Sequence, residues 1–378
     1  MFIKNAWYIA AWAREVEDRP FARTICGEPV VLFRDRTGKA SALEDRCCHR
    51  GTPLRFGEVV DNGLQCGYHG LVFDGSGACV EVPGQDRIPP RAGVRSYPLV
   101  QKNGFLWIWM GEAGRADPAD IVDYPFHDDP ARWPYKGEVY HVKANYMLMV
   151  DNLMDLTHLG YVHKKTIGGN PKVHVEAQMT VTRKEDGLHF IRWMLDSQPP
   201  PTYVKAAGFA GRVDRWQEFE WIAPASILQW SGALDVGKGA QANRDQGGFQ
   251  LRIYHGLTPE TEESCFYFWS AANGYRQDDP QATEQLFHEI DTAFQEDKAI
   301  VEGQQQRLSQ TGHERLVDIA SDAARVHMRR TVARLLSEEE AARALALRPS
   351  SDTARRTGPG GPSAPPRASR SPARPTGS

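Results

Sequence analysis

Two short segments in the N-terminal part of the chain contain cysteine and histidine at a spacing suited to metal binding. One residue separates Cys47 from His49, sixteen residues follow, and two residues then separate Cys66 from His69. Thiolates and imidazoles together are typical ligands of zinc or iron. The chain has six cysteines and no recognisable export signal, and in that setting this spacing favours metal over a disulfide framework.

The details of this spacing favour an iron–sulfur cluster over zinc. Each half pairs one cysteine with one histidine, and the loops contain Gly51, Gly67 and Gly70. Glycine allows backbone amides to approach a cluster and donate hydrogen bonds to its sulfur atoms. In a Rieske [2Fe-2S] centre two cysteines hold one iron and two histidines hold the other. A structural zinc site in a binding protein is the alternative.

A second group of possible ligands occurs at 151–163, where the sequence is DNLMDLTHLGYVH. On an ideal helix, residues five apart point about 140° away from each other, because each residue turns the helix by ~100°. His158 and His163 therefore converge on one ion only if the helix bends or ends between them, which Gly160 permits. Two histidines and one carboxylate form the facial triad of non-haem Fe(II) oxygenases. The alternative is that both histidines are ordinary helix residues.

The carboxylate of such a triad must come from another part of the chain. Asp155 lies three residues before His158, where it is better placed to orient that histidine through its ring N–H than to bind metal. The segment FQEDKAIVEGQQQ offers Asp297, with Glu296 and Asp291 nearby. From the sequence alone, each of these acids can also be a solvated residue on the surface of a helix.

The elements that position these residues change along the chain. The first ~115 residues are rich in strand patterns, such as EPVVLFR at 28–34 and GFLWIWM at 104–110. Prolines at 117–133 indicate an interdomain linker. Helices are predicted at 145–163, 280–309 and 326–343, with strands between 175 and 268. No dinucleotide fingerprint and no P-loop is present, so nothing in the sequence would take hydride from NADH.

Composition excludes several classes of protein. In a chain of 378 residues, 41% hydrophobic and 25% charged residues are typical of a globular protein of two or three domains. No apolar run approaches the ~18 residues of a membrane span, and a net charge of −3 argues against nucleic-acid binding through bulk charge. We expect a cytoplasmic protein. The segment 346–378 is rich in proline, serine and arginine, which predicts a disordered basic tail.

Longer segments of the chain resemble the Rieske non-haem iron oxygenases, specifically their catalytic α subunits. The segments are MFIKNAWYIAAW, ALEDRCCHRGTPL, GYHGLVFDGSGACVEVPGQ, YHVKANYMLMVDNLMDLTH, VDRWQEFEW and FQEDKAIVEGQQQ, which lie between residues 1 and 342. Within the family, the sequence is similar to the oxygenase components of vanillate O-demethylase and toluenesulfonate methyl-monooxygenase. The tail has no counterpart in this resemblance.

The resemblance implies an α+β fold with a Rieske β domain at 1–115 and a helix-grip, START-like catalytic domain at 116–345. In the second domain a long helix lies over a curved antiparallel sheet. The implied ligands are Cys47, His49, Cys66 and His69 for the [2Fe-2S] cluster, and His158, His163 and Asp297 for the mononuclear Fe(II). Asp155 falls where the family has an acid that links sites across a subunit boundary. Asn152 falls where the family often has an amide beside the iron, although a capping or buried hydrogen-bonding role is the alternative.

The implied activity is that of a terminal oxygenase component. It uses O2 and electrons from a separate flavin and iron–sulfur reductase to hydroxylate an aromatic substrate, preferably at a methoxy or methyl group. Ring cis-dihydroxylation, another Rieske hydroxylation and a pure electron-transfer role are the alternatives. The family forms head-to-tail homotrimers, and no nucleic-acid or membrane partner is expected. Candidates for lining the substrate pocket are Leu153, His189, Trp193, Gln217, Trp221, Trp230 and Trp269.

Overall fold

The computed structural model describes residues 1–312 and 316–346. The chain divides into two compact units, Met1–Glu339 and Glu340–Ser378. Both predicted ligand groups lie in the first unit, and the described part of the second, 340–346, is the end of a helix. The tail predicted at 346–378 lies outside the described residues, apart from Ala346. The domain boundaries predicted from the sequence stay a prediction.

Three antiparallel sheets make up the N-terminal part of the first unit. Their strands are β1 (Trp7–Trp12), β2 (Phe21–Ile25), β3 (Glu28–Arg34), β4 (Ala40–Glu44), β5 (Glu58–Val60), β6 (Gly63–Gln65), β7 (Val72–Phe73), β8 (Cys79–Glu81), β9 (Ser96–Tyr97), β10 (Leu99–Lys102) and β11 (Phe105–Trp109). The strand orders are β1-β11-β10, β2-β3-β4-β9 and β5-β6-β7-β8. Cys47 follows β4, and Cys66 and His69 lie between β6 and β7, so the two predicted cluster loops extend from strand ends.

A seven-stranded antiparallel sheet forms the centre of the C-terminal part. Its strands are β12 (Tyr135–Val142), β13 (Gln178–Lys184), β14 (Gly187–Ser197), β15 (Val213–Ile222), β16 (Ser226–Asp235), β17 (Phe249–Thr261) and β18 (Ser264–Asn273). Their order is β12-β18-β17-β16-β15-β14-β13. Because side chains alternate between the two faces of a strand, Arg215, Gln217 and Phe219 of β15 share one face, and Trp216 and Glu218 share the other.

One long helix lies on this sheet. The helices are α1 (Tyr146–Met154), α2 (Leu159–Val162), α3 (Pro171–Val175), α4 (Pro201–Ala207), α5 (Ala240–Asn243), α6 (Pro280–Thr311) and α7 (Ala323–Ala346). The Asp279 carboxylate caps α6 by accepting from the backbone N–H of Gln281. Phe294 packs edge-on against Trp269 of β18, with ring centroids 5.1 Å apart. None of the helices in the described residues is long and apolar enough to cross a membrane.

The predicted fold class is confirmed, and most predicted elements are present with small shifts at their ends. The strand EPVVLFR is β3, with the predicted bounds. The segment 117–133 is more than an exposed linker, because Ile121, Tyr124 and His127 are buried. The Nε2 atom of His127 lies 2.7 Å from Oγ of Ser270 in β18. This segment therefore packs onto the large sheet.

Gly137 of β12 lies where the N-terminal strands meet the large sheet. A Cβ added there would lie 2.6 Å from Cζ2 of Trp12 and 2.6 Å from the carbonyl oxygen of Trp269. We therefore expect Gly137→Ala to lower the free energy of unfolding by about 1–3 kcal/mol, measured by urea denaturation. Gly114→Ala is the matched control, because a Cβ there meets nothing within 4 Å. Equal stability of the two variants would contradict this packing.

Candidate metal centres

The two cluster loops have the same backbone construction. In the first, Cys47 N–H donates to Thr52 O at 2.8 Å and Gly51 N–H donates to Cys47 O at 2.9 Å. In the second, Cys66 N–H donates to Leu71 O at 2.8 Å and Gly70 N–H donates to Cys66 O at 3.0 Å. Gly51 and Gly70 have φ of 72° and 74°, which explains the glycine at these positions. Each loop thus holds one cysteine and one histidine in an equivalent place.

The structure brings the four predicted cluster ligands together. Cys47 and Cys66 are each 2% exposed, whereas His49 and His69 are exposed. The two imidazole rings are edge to face, with centroids 4.6 Å apart. Within the described residues no cysteine forms a disulfide. Two thiols are thus buried, and two imidazoles lie at the surface beside them. These are the ligand types of a Rieske cluster, in which two cysteines hold one iron and two histidines hold the other.

Without metal, burial opposes ionisation of the thiol that ligates iron, whereas the electrostatics of His69 favour the ligating form of the imidazole. Burial raises the pKa of the Cys47 thiol to about 11, although the backbone N–H of His49 donates to its sulfur and acts in the opposite direction. Desolvation lowers the pKa of His69, and the nearby His49 and Arg50 lower it further, which favours the neutral imidazole that ligates metal. Cys48, the neighbour of Cys47, is exposed.

The two histidines of the second group lie on separate helical segments. Helix α1 ends at Met154, and Asp155 has an extended backbone with φ −127° and ψ 106°. His158 ends a single 3-10 turn and His163 follows α2. The chain therefore bends at Asp155 and not at Gly160. Gly160 is required for a different reason, since a Cβ there would lie 2.3 Å from Cα of Pro171.

His158, His163 and Asp297 converge on one point. Their ligand atoms all lie within 4.8 Å of one another, and this is the one such group of three or more in the described parts of the chain. Oδ1 of Asp297 lies 3.3 Å from Nε2 of His158 and 3.1 Å from Nε2 of His163. Of the three acids considered from the sequence, Asp297 is the one that faces both histidines. Asp291 instead accepts a hydrogen bond from Tyr140.

The far side of each imidazole ring is held by a hydrogen-bond acceptor. Nδ1 of His158 lies 2.6 Å from the backbone carbonyl of Asp155, and Nδ1 of His163 lies 2.7 Å from Oε2 of Glu296. These oxygens only accept, so both Nδ1 atoms donate and both Nε2 atoms are left to face the Asp297 carboxylate. A carboxylate facing two imidazole lone pairs requires a proton or a cation between them. This donor set fits a divalent metal ion.

The electrostatics of the triad agree with a bound cation. Burial alone would raise the pKa of Asp297, but the hydrogen bonds and charges of His158 and His163 hold it well below its usual range. Burial would lower the pKa of His163, but Asp297 and Glu296 raise it overall. The structure therefore favours positive charge at the point where the three side chains meet.

Asn152 and Asp155, the two other predicted site residues, both lie beside the triad. The Asn152 side-chain amide donates to Oδ1 of Asp297 at 3.1 Å, and its own oxygen is buried without a partner. The Asp155 carboxylate caps Thr157 and accepts from Oγ of Ser321 at 3.0 Å. The expectation that this carboxylate orients His158 within the chain is wrong, because the backbone carbonyl does so. Its side chain instead contacts Ser321, in the 3-10 turn that precedes α7.

A small cavity of about 30 Å³ adjoins the triad. Of the pocket candidates proposed from the sequence, Leu153 and Gln217 line it. His189 and Trp230 instead line a larger cleft of about 1020 Å³ on the opposite face of the sheet, which is remote from the triad. Trp193 packs against Trp216, and Trp221 and Trp269 are fully buried core residues. Sequence analysis missed Arg215, Tyr203 and Gln229, which also line the cavity.

The comparison with known proteins agrees with both centres. The Rieske [2Fe-2S] domain model matches residues 6–98, and the vanillate O-demethylase oxygenase C-terminal domain model matches 142–338. The chain is 42% identical to the toluene-4-sulfonate monooxygenase system iron-sulfur subunit TsaM1 of Comamonas testosteroni, over 90% of this chain and 98% of that one. It is 37% identical to a vanillate O-demethylase oxygenase subunit from Pseudomonas sp. (strain HR199), over 92% and 98%.

A solved structure has the same fold. Dicamba monooxygenase bound to 3,6-dichlorosalicylic acid is 34% identical and superposes with a TM-score of 0.84, over 90% of this chain and 99% of that one. A cluster-binding domain joined to a two-histidine, one-carboxylate centre defines the class of Rieske non-haem iron oxygenases. The chain belongs to this family, in the group with the vanillate O-demethylase type of C-terminal domain.

The two ligand sets make separable predictions about metal content. In wild-type protein we expect about three irons per chain, two of them with two acid-labile sulfides in the cluster. Asp297→Ala should lose about one iron and keep both sulfides and the Rieske EPR signal, because it changes only the triad. Asp291→Asn, six residues earlier on α6, is the matched control and should keep all the iron. Loss of sulfide in Asp297→Ala, or full iron content, would contradict the assignment.

Proposed function

We propose that the protein is the terminal oxygenase component that hydroxylates an aromatic substrate at a methoxy or methyl group. The observation that carries this proposal is the buried triad of His158, His163 and Asp297 beside a mostly apolar cavity. Two histidines and one carboxylate leave coordination positions open for O2 and substrate. Relatives are named for toluene-4-sulfonate, vanillate and dicamba, and two of these names specify O-demethylation.

Iron bound at the triad would supply O2 activation. The residues of this chain orient the iron ligands and exclude water from the cavity. Leu153, Ile253 and Phe294 form part of an apolar lining that excludes water. Asn152 and Glu296 fix the orientation of Asp297 and His163. An aromatic ring needs more room than about 30 Å³, since an engineered cavity that binds benzene measures ~150 Å³. The lining side chains must therefore move when substrate enters.

For a methoxy-arene, the overall reaction is ArOCH3 + O2 + 2e⁻ + 2H⁺ → ArOH + HCHO + H2O. One oxygen atom enters the methyl C–H bond, and the resulting hemiacetal separates into a phenol and formaldehyde. The second oxygen atom leaves as water. For an aryl methyl group the same insertion gives an alcohol.

Electrons must reach this site from outside the chain. The names of two relatives contain the words oxygenase component, which implies a separate reductase. We infer a flavin and iron–sulfur reductase that uses NADH and delivers electrons to the cluster through the exposed edges of His49 and His69. The reductase and the cytoplasmic location stay predictions.

We also infer that three copies of the chain assemble head to tail, with the cluster of one protomer beside the mononuclear site of its partner. A groove of about 750 Å³ reaches Asp155 and His158, and it is lined by acids and by exposed Leu316 and Val317. The acids are Asp151, Asp155, Asp318 and Asp322, and the groove also contains Arg325 and Arg329, which pair with all of these acids except Asp155. On the cluster loops Arg46 and Arg50 are exposed, as are the apolar side chains of Phe56 and Tyr68. The exposed apolar residues of both surfaces, and the excess of acids in the groove facing basic loops, support this contact.

The reaction is tested by turnover of the purified oxygenase with a surrogate ferredoxin reductase and NADH. We expect formaldehyde and a catechol from vanillate, or an alcohol from toluene-4-sulfonate. One atom from ¹⁸O2 should be found in the alcohol, whereas in O-demethylation it enters the formaldehyde, which is trapped before it exchanges with water, and not the catechol. The Asp297→Ala protein is the control and should give neither product. A cis-dihydrodiol as the main product would identify ring dihydroxylation instead. Consumption of NADH without O2 incorporation across methoxy- and methyl-arenes would contradict the proposal.

The electron route is tested at Asp155. We expect Asp155→Asn to keep both metal centres filled while electron transfer from reduced cluster to mononuclear iron slows greatly in a single turnover. The reason is that this carboxylate and the iron-facing His158 line the same groove. Asp318→Asn, on the same groove but farther along the chain, is the control. A wild-type transfer rate in Asp155→Asn would contradict the route.

A further inference from the structure

Two arginines are buried beneath the cavity without a carboxylate partner. Arg215 of β15 is 1% exposed and Arg192 of β14 is 3% exposed. Both project from the face of the sheet that meets the helices, because Arg192 pairs with Gln217 in the β14–β15 register and Arg215 lies two residues from Gln217. In residues 1–312 and 316–346, no carboxylate oxygen lies within 4.0 Å of either guanidinium.

The hydrogen bonds of Arg215 leave part of its donor capacity unused. Its Nη2 donates to Ile167 O at 2.8 Å and its Nη1 to Gly168 O at 3.3 Å. Its Nε is buried and has no partner. The guanidinium lies over the ring of Tyr203, 4.8 Å from the ring centroid. Carbonyls and an aromatic face solvate a cation in part, but they do not neutralise its charge.

Arg192 adds a second charge beside the first. Its Nη2 donates to His174 O at 2.6 Å and its Nη1 approaches Oε1 of Gln217 at 3.4 Å. Burial and the nearby charge of Arg215 together lower the pKa of Arg192 to about 10, although the Asp155 carboxylate acts in the opposite direction, so Arg192 is charged at neutral pH. Removing charges from water without a hydrogen-bonded counter-charge is strongly unfavourable. An arrangement of this kind indicates that the counter-charge arrives with a ligand.

Arg252 is a buried arginine that does have a carboxylate partner. It lies on the opposite face of the same sheet, in β17, and is 5% exposed. Its Nη2 donates to Oδ1 of Asp245, which precedes β17, at 3.1 Å. Among the described residues, a carboxylate thus pairs with the arginine on one face, and none pairs with the two arginines on the face that meets the iron ligands.

Arg215 lines the same cavity as His158, His163 and Asp297. We propose that Arg215, supported by Arg192, is the receptor for an anionic group on the aromatic substrate, a carboxylate or a sulfonate. Such a group forms two parallel hydrogen bonds with the planar guanidinium and neutralises its charge. With the anion held at Arg215, the ring lies among the apolar lining and its methyl or methoxy group is directed to the triad. This inference rests on the proposed function, whose substrate class it narrows.

Arg215 also supports the loop that follows His163, because its two carbonyl acceptors belong to Ile167 and Gly168. If Arg215 had only this structural role, its substitution would weaken the binding of charged and neutral ligands equally. The ratio of the affinity for an anion to the affinity for its neutral analogue therefore distinguishes anion recognition from support of the loop.

The test is anaerobic calorimetric titration of the purified, iron-loaded protein with two matched pairs of probes. The pairs are toluene-4-sulfonate with toluene-4-sulfonamide, and vanillate with vanillamide. We expect wild-type protein to prefer the anion of at least one pair. Arg215→Gln should bind that anion about 10- to 100-fold more weakly, as for loss of a charged hydrogen-bonded partner, and should bind the amide unchanged. Its iron content and Tm are measured in parallel.

Further variants keep the result interpretable. Arg215→Lys retains the charge without the planar fork and should keep an anion preference at reduced affinity, even if Arg215→Gln folds poorly. Arg192→Gln should weaken the preference, and Arg252→Gln, on the other face, should leave it unchanged. Two results would contradict the role of Arg215 as an anion receptor. One is an equal loss of affinity for anion and amide in Arg215→Gln, and the other is a wild-type protein that binds the amide as tightly as the anion. Neither result would contradict the proposed oxygenase function. Absence of turnover on every arene would instead contradict the proposed function.

Discussion

The arrangement of the triad depends on two hydrogen-bond acceptors that fix the outer nitrogen atoms of two imidazole rings. The carbonyl of Asp155 and the carboxylate of Glu296 occupy the Nδ1 atoms of His158 and His163, so both Nε2 atoms face Asp297. An uninterrupted α-helix would separate two side chains five residues apart by about 140°. Here His158 ends a 3-10 turn and His163 lies just past the last residue of α2, so the two rings do not occupy positions of one regular helix. The extended backbone of Asp155 separates this segment from α1, and the acceptors at the two Nδ1 atoms fix which nitrogen of each ring faces Asp297.

Placing Asp297 opposite these rings requires α6 to be held firmly on the sheet. Leu286, Ile290, Phe294 and Val301 are buried on the same side of α6 as Asp297. Each such side chain contributes about 1.5–3 kcal/mol when it is fully buried. The desolvation of one carboxylate opposes this by several kcal/mol, which histidines and a bound cation offset. The apolar stripe thus secures the helix, and the one charged residue within that stripe is held facing the two histidines.

Sequence predicted the parts of this protein that depend on local signals. The strand EPVVLFR, the long helix and the ligand spacings are all patterns within a few neighbouring residues, and Asp297 was assigned only by resemblance to a family. Sequence allowed a bend at Gly160, but this residue lies within α2, and the close contact with Pro171 that requires glycine there is long-range. Arg215 was missed for the same reason. Alternation in β15 shows that its residues face two ways, but packing decides which face meets the iron ligands.

Binding of an anionic substrate explains why the protein keeps two buried arginines that are unfavourable in the ligand-free fold. Unpaired charges lower the stability of the ligand-free fold, and an anion that binds there restores it by RT ln(1 + [L]/Kd), about 2.7 kcal/mol at a hundredfold excess over Kd. A neutral arene of the same shape fills the cavity but leaves the guanidiniums unpaired, so discrimination comes from the protein's own desolvated charge and not from the fit of the ring. A bound divalent iron with one carboxylate ligand leaves the site more positive still. The same anion therefore neutralises charge, selects the substrate and fixes which carbon approaches the triad.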